Sequence, residues 1–409
     1  MNFLVFIDQV FVSGCRVLLS IVIARSLGLE EFGVYSLLWT IVIFSSAMQI
    51  PISIIPMMQL APRMSPKRKG TFNASAMIIQ LGYGIVSVLL TVIALILLMP
   101  DDKNAIQLTV LISGYIFAYN QFEYLRRYFF SEGKRVAAFF FDVLLYSAVF
   151  FFIYLLLVNN IFSLESYIAI SLLPAGILSL AMVRLYQLYR ASPVLHLAII
   201  RRLLAISSPL IGSTIAHFIS GYCFVFSTAY FLGASEVGGI SAVRNIVGPF
   251  MLILMALENS LIRKFALLPI NSNQIRIESR KETVKWLFLF LILALLFSGF
   301  SSELMRLLYG EEFVVFSNLI YWFCGTALIQ VISRVQTIRL RAQSQFLAIK
   351  NANIVTMLVA LIISPLLIWF YGVSGAGPSV FLMAFLILVL QDLYDSNGFI
   401  KRRLEAIRN

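Results

Sequence analysis

Gln9, Ser13, Arg16 and Ser20 stand at spacings of 4, 3 and 4 in an otherwise apolar stretch. At helical periodicity they fall within an arc of about 60°, a polar stripe on one face. Gln330, Arg334, Thr337 and Arg341 repeat the pattern, and Ser213, His217 and Ser220 form a third stripe. Arg244 and Glu258 share a face within about 40°, separated by about 21 Å along the axis. A guanidinium holds a phosphate or carboxylate bidentately. Asp8, Glu123, Asp142 and Glu258 are acids placed to couple an ion or proton, and His217 belongs to the residue type that titrates near neutral pH.

Each group has a second use. Arg16, Arg244 and Arg334 either line a water-filled cavity or pair with Asp8, Asp142 or Glu258 inside a helix bundle. The excess of arginine over acids at membrane depth favours the cavity. Arg25, at the outer end of its helix, either joins them or snorkels. Glu123 has Arg126 and Arg127 at i+3 and i+4, so a salt bridge at a cytoplasmic helix end competes with coupling. His217 either titrates or packs through a hydrogen bond. The Ser and Gln stripes also suit helix packing.

The elements that must position these groups lie in lipid. Hydrophobic residues make up 60% of the 409 and charged residues only 12%, against about 25% charged in globular domains. Such a chain cannot cover a water-soluble surface, so its solvent is lipid. Disordered, collagenous and disulfide-scaffold classes are excluded by the same figures. A net charge of +12 would suggest nucleic acid in a soluble protein; here it is loop charge that sets membrane orientation, and no nucleic-acid partner is expected. Cys15, Cys223 and Cys324 lie inside apolar runs, which argues against a disulfide framework. The N-terminus lacks a basic region and a small-residue cleavage site, so no removable signal peptide is expected.

A crossing of the hydrocarbon core needs about 20 residues. Twelve candidate spans lie near 4–27, 33–59, 72–99, 106–128, 137–158, 167–189, 204–232, 239–264, 285–302, 316–338, 351–371 and 378–396. Of the 31 lysines and arginines, 25 fall in the gaps after even-numbered spans, in the C-terminal tail or at the span ends facing them. Only Arg25, Lys103 and Arg306 fall on the other side. The bias places both termini in the cytoplasm.

The turn Leu27-Gly28-Leu29-Glu30-Glu31-Phe32-Gly33-Val34-Tyr35-Ser36 recurs as Leu232-Gly233-Ala234-Ser235-Glu236-Val237-Gly238-Gly239-Ile240-Ser241, with Leu, Gly, Glu, Gly and Ser at a constant offset of 205 residues. Half the chain length as an offset implies two six-span halves in parallel. The expected fold is an all-α polytopic membrane protein, twelve transmembrane helices in two parallel-repeat six-helix lobes, 1–195 and 196–409, around a central cavity. Pro51 and Pro56 in span 2, and Gly248-Pro249 in the equivalent span 8, mark kinks.

Catalytic signatures are missing. There is no phosphate-binding G-x-x-x-x-G-K-[ST], no H-E-x-x-H and no G-x-S-x-G, and His196 and His217 make no metal-ligand pair. No cofactor, metal or enzymatic activity is expected, and the longest polar gap, roughly Pro269 to Glu282, is too short for a folded domain.

Asp8-Gln9, Phe11-Val12-Ser13-Gly14, Ala24-Arg25, Leu27-Gly28 and Glu31-Phe32-Gly33-Val34-Tyr35, with the small basic loop Ser131-Glu132-Gly133-Lys134-Arg135, resemble the Wzx-type polysaccharide flippases. These belong to the multidrug/oligosaccharidyl-lipid/polysaccharide exporter superfamily. The resemblance implies a bacterial inner-membrane transporter of undecaprenyl-pyrophosphate-linked oligosaccharide, working by alternating access with a proton or sodium gradient. It also implies a cationic cavity whose arginines, by motif Arg16 and Arg25, with Arg244 in the equivalent second-lobe region, hold the pyrophosphate. The polymerase and chain-length regulator of the same pathway would be neighbours. Span 7 departs from span 1 in carrying His217 and no arginine, which argues against a symmetric two-lobe clamp. Twelve spans disfavour the peptidoglycan-precursor subgroup, which often has fourteen. The expected substrate-binding set is Arg16, Arg25, Arg244, Arg334, Gln9 and Gln330; the expected coupling set is Asp8, Asp142, Glu258, His217 and Glu123.

Three other functions compete. A cationic drug antiporter would prefer an acid-lined cavity. A polytopic O-antigen-type polymerase or ligase would need a large outer-face loop. A sugar carrier with parallel halves would show an acidic-glycine-arginine pattern that Ala61 to Gly70 lacks.

Overall fold

In lipid every backbone polar group must be satisfied internally, and an apolar run has one local way to do so, the α-helix. The computed structural model describes residues 3–61, 66–98, 105–187, 193–266, 273–343 and 345–408. Among them there is no strand. Fourteen helices follow one another: α1 (Phe3–Gln49), α2 (Ile55–Leu60), α3 (Pro66–Leu98), α4 (Ala105–Ser131), α5 (Arg135–Val158), α6 (Leu164–Gln187), α7 (Pro193–Phe231), α8 (Ala234–Ile246), α9 (Gly248–Ala266), α10 (Asn273–Gly299), α11 (Ser301–Leu308), α12 (Leu319–Ala342), α13 (Phe346–Tyr371) and α14 (Ala376–Arg408). Arg63, Lys103 and Arg190, three of the cations used to assign orientation, lie outside the described residues.

Fourteen helices are present among the described residues, so the expected count of twelve membrane-spanning helices is not confirmed. Spans 1 and 2 run together as α1 and α2, span 8 splits into α8 and α9, and α11 is an eight-residue helix too short to cross a membrane. By length and apolarity alone, six stretches among the described residues can cross, or seven if the bent pair α8–α9 is one. Two of the six are 52 and 48 residues long, far more than the ~20 that one crossing needs. Gly28 (φ 81°, ψ −177°) interrupts the first, and a 3-10 turn at Gly372–Gly375 interrupts the second. The protein is a multi-pass membrane protein.

The chain changes helix type at the first expected position and direction at the second. Pro51 sits in a π-helical segment, Ile50–Ile54, and Pro56 opens α2, because a proline lacks the N–H that a continuous ladder requires. At Gly248-Pro249 the chain bends by 44° between α8 and α9. The repeated turns also match in backbone. Gly28 and Gly233, 205 residues apart, have φ/ψ of 81°/−177° and 105°/−174°, a conformation that only glycine adopts without strain.

The chain divides into two compact units: Asn2–Cys15 with Leu38–Ile215 (the N-terminal unit), and Arg16–Leu37 with Ala216–Asn409 (the C-terminal unit). In the N-terminal unit α4 packs against α3, α5 and α6, with Met57, Phe72, Met77, Tyr124 and Tyr128 buried together. In the C-terminal unit α12 packs against α8, α9, α10, α13 and α14, over Leu257, Leu261, Phe265, Val335 and Ile338. The sheltered helices α4 and α12 carry charged side chains, Glu123, Arg126 and Arg127 on the first and Arg334, Arg339 and Arg341 on the second. Elsewhere, as on α5 and α13, lipid-facing Phe140, Leu144, Phe151, Leu358 and Ile362 are exposed. The three cysteines are free and buried.

Within the C-terminal unit the two copies of the turn touch. A Cβ on Gly33 would meet the Ala234 carbonyl oxygen at 1.8 Å, and one on Gly238 would meet the Leu29 carbonyl oxygen at 2.5 Å. Glycine is required at both because backbone meets backbone. Gly33→Ala or Gly238→Ala is expected to cost about 1–3 kcal/mol through overpacking, read as a lower melting temperature in detergent. Gly14→Ala, where a Cβ meets nothing within 4 Å, is expected to leave the melting temperature unchanged or raise it.

Candidate functional site

Each unit holds a cluster of charged side chains that includes residues singled out in the sequence, apart from pairs such as Lys69–Glu132 and the Lys264–Glu278–Glu282 group. In the N-terminal unit, α4 carries Glu123, Arg126 and Arg127 on successive turns. Arg126 is 3% exposed and donates from Nε to Asp142 Oδ2 at 2.5 Å and from a terminal nitrogen to Asp8 Oδ2. Asp8 comes from the first turns of α1 and Asp142 from α5, and each is 1% exposed. Glu123 Oε2 lies 3.7 Å from Arg126 and 3.8 Å from Arg127. The ring of Phe130 covers the Arg126 guanidinium at 5.4 Å. Three acids expected to couple an ion, Asp8, Glu123 and Asp142, are thus brought onto one residue. The expected Glu123 salt bridges to Arg126 and Arg127 are present, and Arg126 is also buried, because its helix is enclosed by α3, α5 and α6.

Beside this cluster α4 carries a hydrogen-bond network. Asn120 donates to Ser45 Oγ at 2.7 Å, and its carbonyl accepts from Gln49 at 2.6 Å and Gln80 at 3.3 Å. Ser53 donates to Gln80 at 2.6 Å. Such bonds hold helices together where lipid offers no hydrophobic drive.

In the C-terminal unit the balance of sign is reversed. Glu258 on α9 is shared by Arg341 at 2.8 Å and Arg334 at 3.6 Å, both from α12. His217 on α7 is exposed and lies within electrostatic reach of the same two arginines. Arg244, in the last turn of α8, rests on the ring of Tyr222 at 4.4 Å, which stacks in turn on Phe218 at 4.4 Å between centroids. Among the described residues Arg244 makes no ion pair. Its neighbour Asn245 donates to Ser20 Oγ at 3.0 Å, and Ser20 bonds Tyr309 at 2.8 Å.

Arg16 is half-buried and engaged by a partner. Arg25 is exposed and donates to the carbonyls of Leu307 and Leu308, capping α11, whose last carbonyls are otherwise unsatisfied. Gln9 and Gln330 are half-buried. All four expected substrate arginines, with Gln330, belong to the C-terminal unit; Gln9 and three of the expected coupling acids belong to the N-terminal unit, and Glu258 and His217 to the C-terminal one. The sequence reading missed Arg126 as the hub and Tyr222 as the platform under Arg244. The i+3 and i+4 spacing pointed at the first. Nothing local pointed at the second, since the contact joins α7 to α8.

Comparison with known proteins agrees with the helical layout. Residues 3–272 match the family described as "Polysaccharide biosynthesis protein". No curated protein matches the sequence. Among solved structures, an inward-facing multidrug resistance MATE family transporter of the MOP superfamily superposes with a TM-score of 0.75 at 12% identity, over 96% of this chain and 98% of that one. The lipid II flippase MurJ in an inward closed conformation gives 0.72 at 11%, over 96% and 87%. A MOP superfamily transporter from Pyrococcus furiosus, described as having a binding pocket of reverse polarity, gives 0.65 at 13%, over 96% and 95%. At these identities the likeness is one of fold.

Removing one partner of a buried pair leaves an uncompensated charge, at a cost of about 3–5 kcal/mol. Arg126→Met is therefore expected to lower the melting temperature of the solubilised protein steeply. Adding Asp8→Asn and Asp142→Asn to it should recover most of the loss. A single Arg126→Met variant as stable as the parent would refute the assignment of Arg126 as the neutralising hub.

Proposed function

The chain belongs to the polysaccharide biosynthesis protein family, and from that premise we propose that it is a flippase that moves undecaprenyl-pyrophosphate-linked oligosaccharide units from the cytoplasmic to the outer leaflet of a bacterial inner membrane. The proposed cycle is alternating access driven by a proton or sodium gradient, in two six-span lobes, residues 1–195 and 196–409, with both termini in the cytoplasm. The observation that carries this reading is the surplus of cations in the C-terminal unit. Two guanidiniums share the single carboxylate of Glu258, and Arg244 is held by an aromatic ring instead of an acid. Guanidiniums at membrane depth without matching acids suit a diphosphate head group, whose planar oxygen pairs they bind bidentately.

The N-terminal cluster supplies the complementary half of the proposal. Asp8 and Asp142 bear on one guanidinium, so the pair carries one negative charge beyond what Arg126 neutralises. Burying a net charge costs several kcal/mol, and a proton or a monovalent cation removes that cost. Binding and release of such an ion, at Asp8, Asp142 and Glu123, is the proposed coupling step; Glu258 and His217 would respond from the other unit. Gln9 and Gln330 are proposed to contact the head group.

A cation antiporter would also use an acid cluster and is the second reading, together with a polytopic polymerase or ligase. The surplus arginines speak against a cationic substrate, since like charges at low dielectric repel strongly. Arg16→Ala and Arg244→Ala are each expected to abolish surface polysaccharide, with the protein still inserted and the lipid-linked unit accumulating on the inner leaflet. Normal polymer in both variants would refute the arginine-based mechanism. Efflux of cationic dyes would favour the antiporter, and accumulation on the outer leaflet in a knockout would favour the polymerase.

A further inference from the structure

The N-terminal unit holds an aromatic group that the proposed transport chemistry does not use. Tyr115, Tyr119, Glu123 and Arg127 follow each other at i+4 along α4 and make one ridge. Tyr115 stacks on Tyr119 with centroids 5.6 Å apart and planes at 25°. Trp39 of α1 closes the group, 6.5 Å from Tyr115 and 6.0 Å, edge-on, from Tyr119. The Tyr119 hydroxyl donates to Glu123 Oε1 at 3.2 Å, which joins the rings to the buried ion cluster. Tyr119 is buried, whereas Trp39 and Tyr115 each keep part of their surface open.

Two ordinary explanations fail on position. Tyrosine and tryptophan belts mark the membrane interface, but Tyr115 stands midway along the expected span 106–128, about 15 Å from the start of α4. Along the middle of α5 and α13 the exposed residues are aliphatic or phenylalanine, and Tyr154, Trp369 and Tyr371 stand only near the helix ends. Here the rings run directly into a carboxylate. Flat rings beside a carboxylate are what a sugar requires: the C–H face of a pyranose packs on an aromatic ring, and its hydroxyls donate to the carboxylate. Trp and Tyr suit this role because one end of each is apolar and the other polar.

We infer that Trp39, Tyr115 and Tyr119, with Glu123, form a saccharide subsite that holds a pyranose ring of the transported unit. The inference rests on the flippase reading and names the part of the substrate that the arginines do not contact. From Tyr115 to Glu123 the ridge is about 12 Å long, more than one sugar ring. The subsite reads the shape of the sugar, whereas the guanidiniums read the diphosphate common to all such lipids.

The test uses the full-length protein in lipid nanodiscs with Trp286, Trp322 and Trp369 replaced by Phe, so that Trp39 is the sole tryptophan and can be excited selectively. Two probes are titrated: undecaprenyl pyrophosphate without sugar, and lipid-linked oligosaccharide isolated from the strain that makes the protein. Binding is measured independently by native mass spectrometry. The expected result is that both bind but only the saccharide-bearing lipid changes Trp39 emission, saturably. Tyr115→Ala should weaken binding of that lipid roughly five- to tenfold and leave bare undecaprenyl pyrophosphate unaffected, the loss of one stacked ring; Tyr115→Phe should restore it. If both probes bind and neither, or both equally, alters Trp39, the subsite is refuted while the flippase reading stands. If neither probe binds, both are overturned.

Discussion

Burying an ionised group in a medium with no water to solvate it is the constraint on which this structure depends. Arg126 shows how it is met. The guanidinium lies at 3% exposure between Asp8 and Asp142, and the helices that bring these residues, α1, α4 and α5, are tied by those contacts. Each charge is tolerable only because the others are present. The same logic makes α4 and α12 the enclosed helices of their units, since a helix carrying Glu123 and Arg126, or Arg334 and Arg341, cannot face acyl chains. The placement of charge and the packing order of helices are thus one fact seen from two sides.

Neither cluster matches acids and guanidiniums one to one, and the two mismatches run in opposite directions. Two carboxylates on one guanidinium leave the N-terminal cluster short of a cation. Two guanidiniums on one carboxylate leave the C-terminal cluster short of an anion. A purely structural ion pair would balance. An unbalanced one can gain or lose a mobile ion or a charged head group, which is the property a coupled transporter needs. The fold shared with transporters of the MOP superfamily accommodates such a reading, but substrate and coupling belong to side chains, not to the fold.

Much of the helical layout was legible because lipid imposes a simple rule on sequence: apolar runs near the length of the bilayer become helices. Gly28 and Gly233 declared the repeated turn, and the structure gives them the same backbone conformation. Pro51, Pro56 and Gly248-Pro249 declared their breaks. Two things were hidden. The number of helices exceeds the number of expected spans because a glycine-proline step splits one span into α8 and α9, and because α11 is too short for any window tuned to a crossing. The burial of Arg126 was hidden because a cation three residues after a glutamate looks the same on an exposed helix end and in a bundle interior; only the packing of α3, α5 and α6 distinguishes them. Tyr222 under Arg244 is likewise a tertiary fact with no local signal.

The central claim is that surplus guanidiniums carry an anionic lipid head group while surplus carboxylates carry the driving ion. The most direct measurement is translocation in proteoliposomes, with lipid-linked oligosaccharide supplied on one leaflet and its sugar detected on the other by an impermeant oxidant. The account predicts that sugar crosses when a proton or sodium gradient is imposed, and that the same lipid lacking its diphosphate does not cross. Transfer that ignores both the gradient and the diphosphate would contradict it.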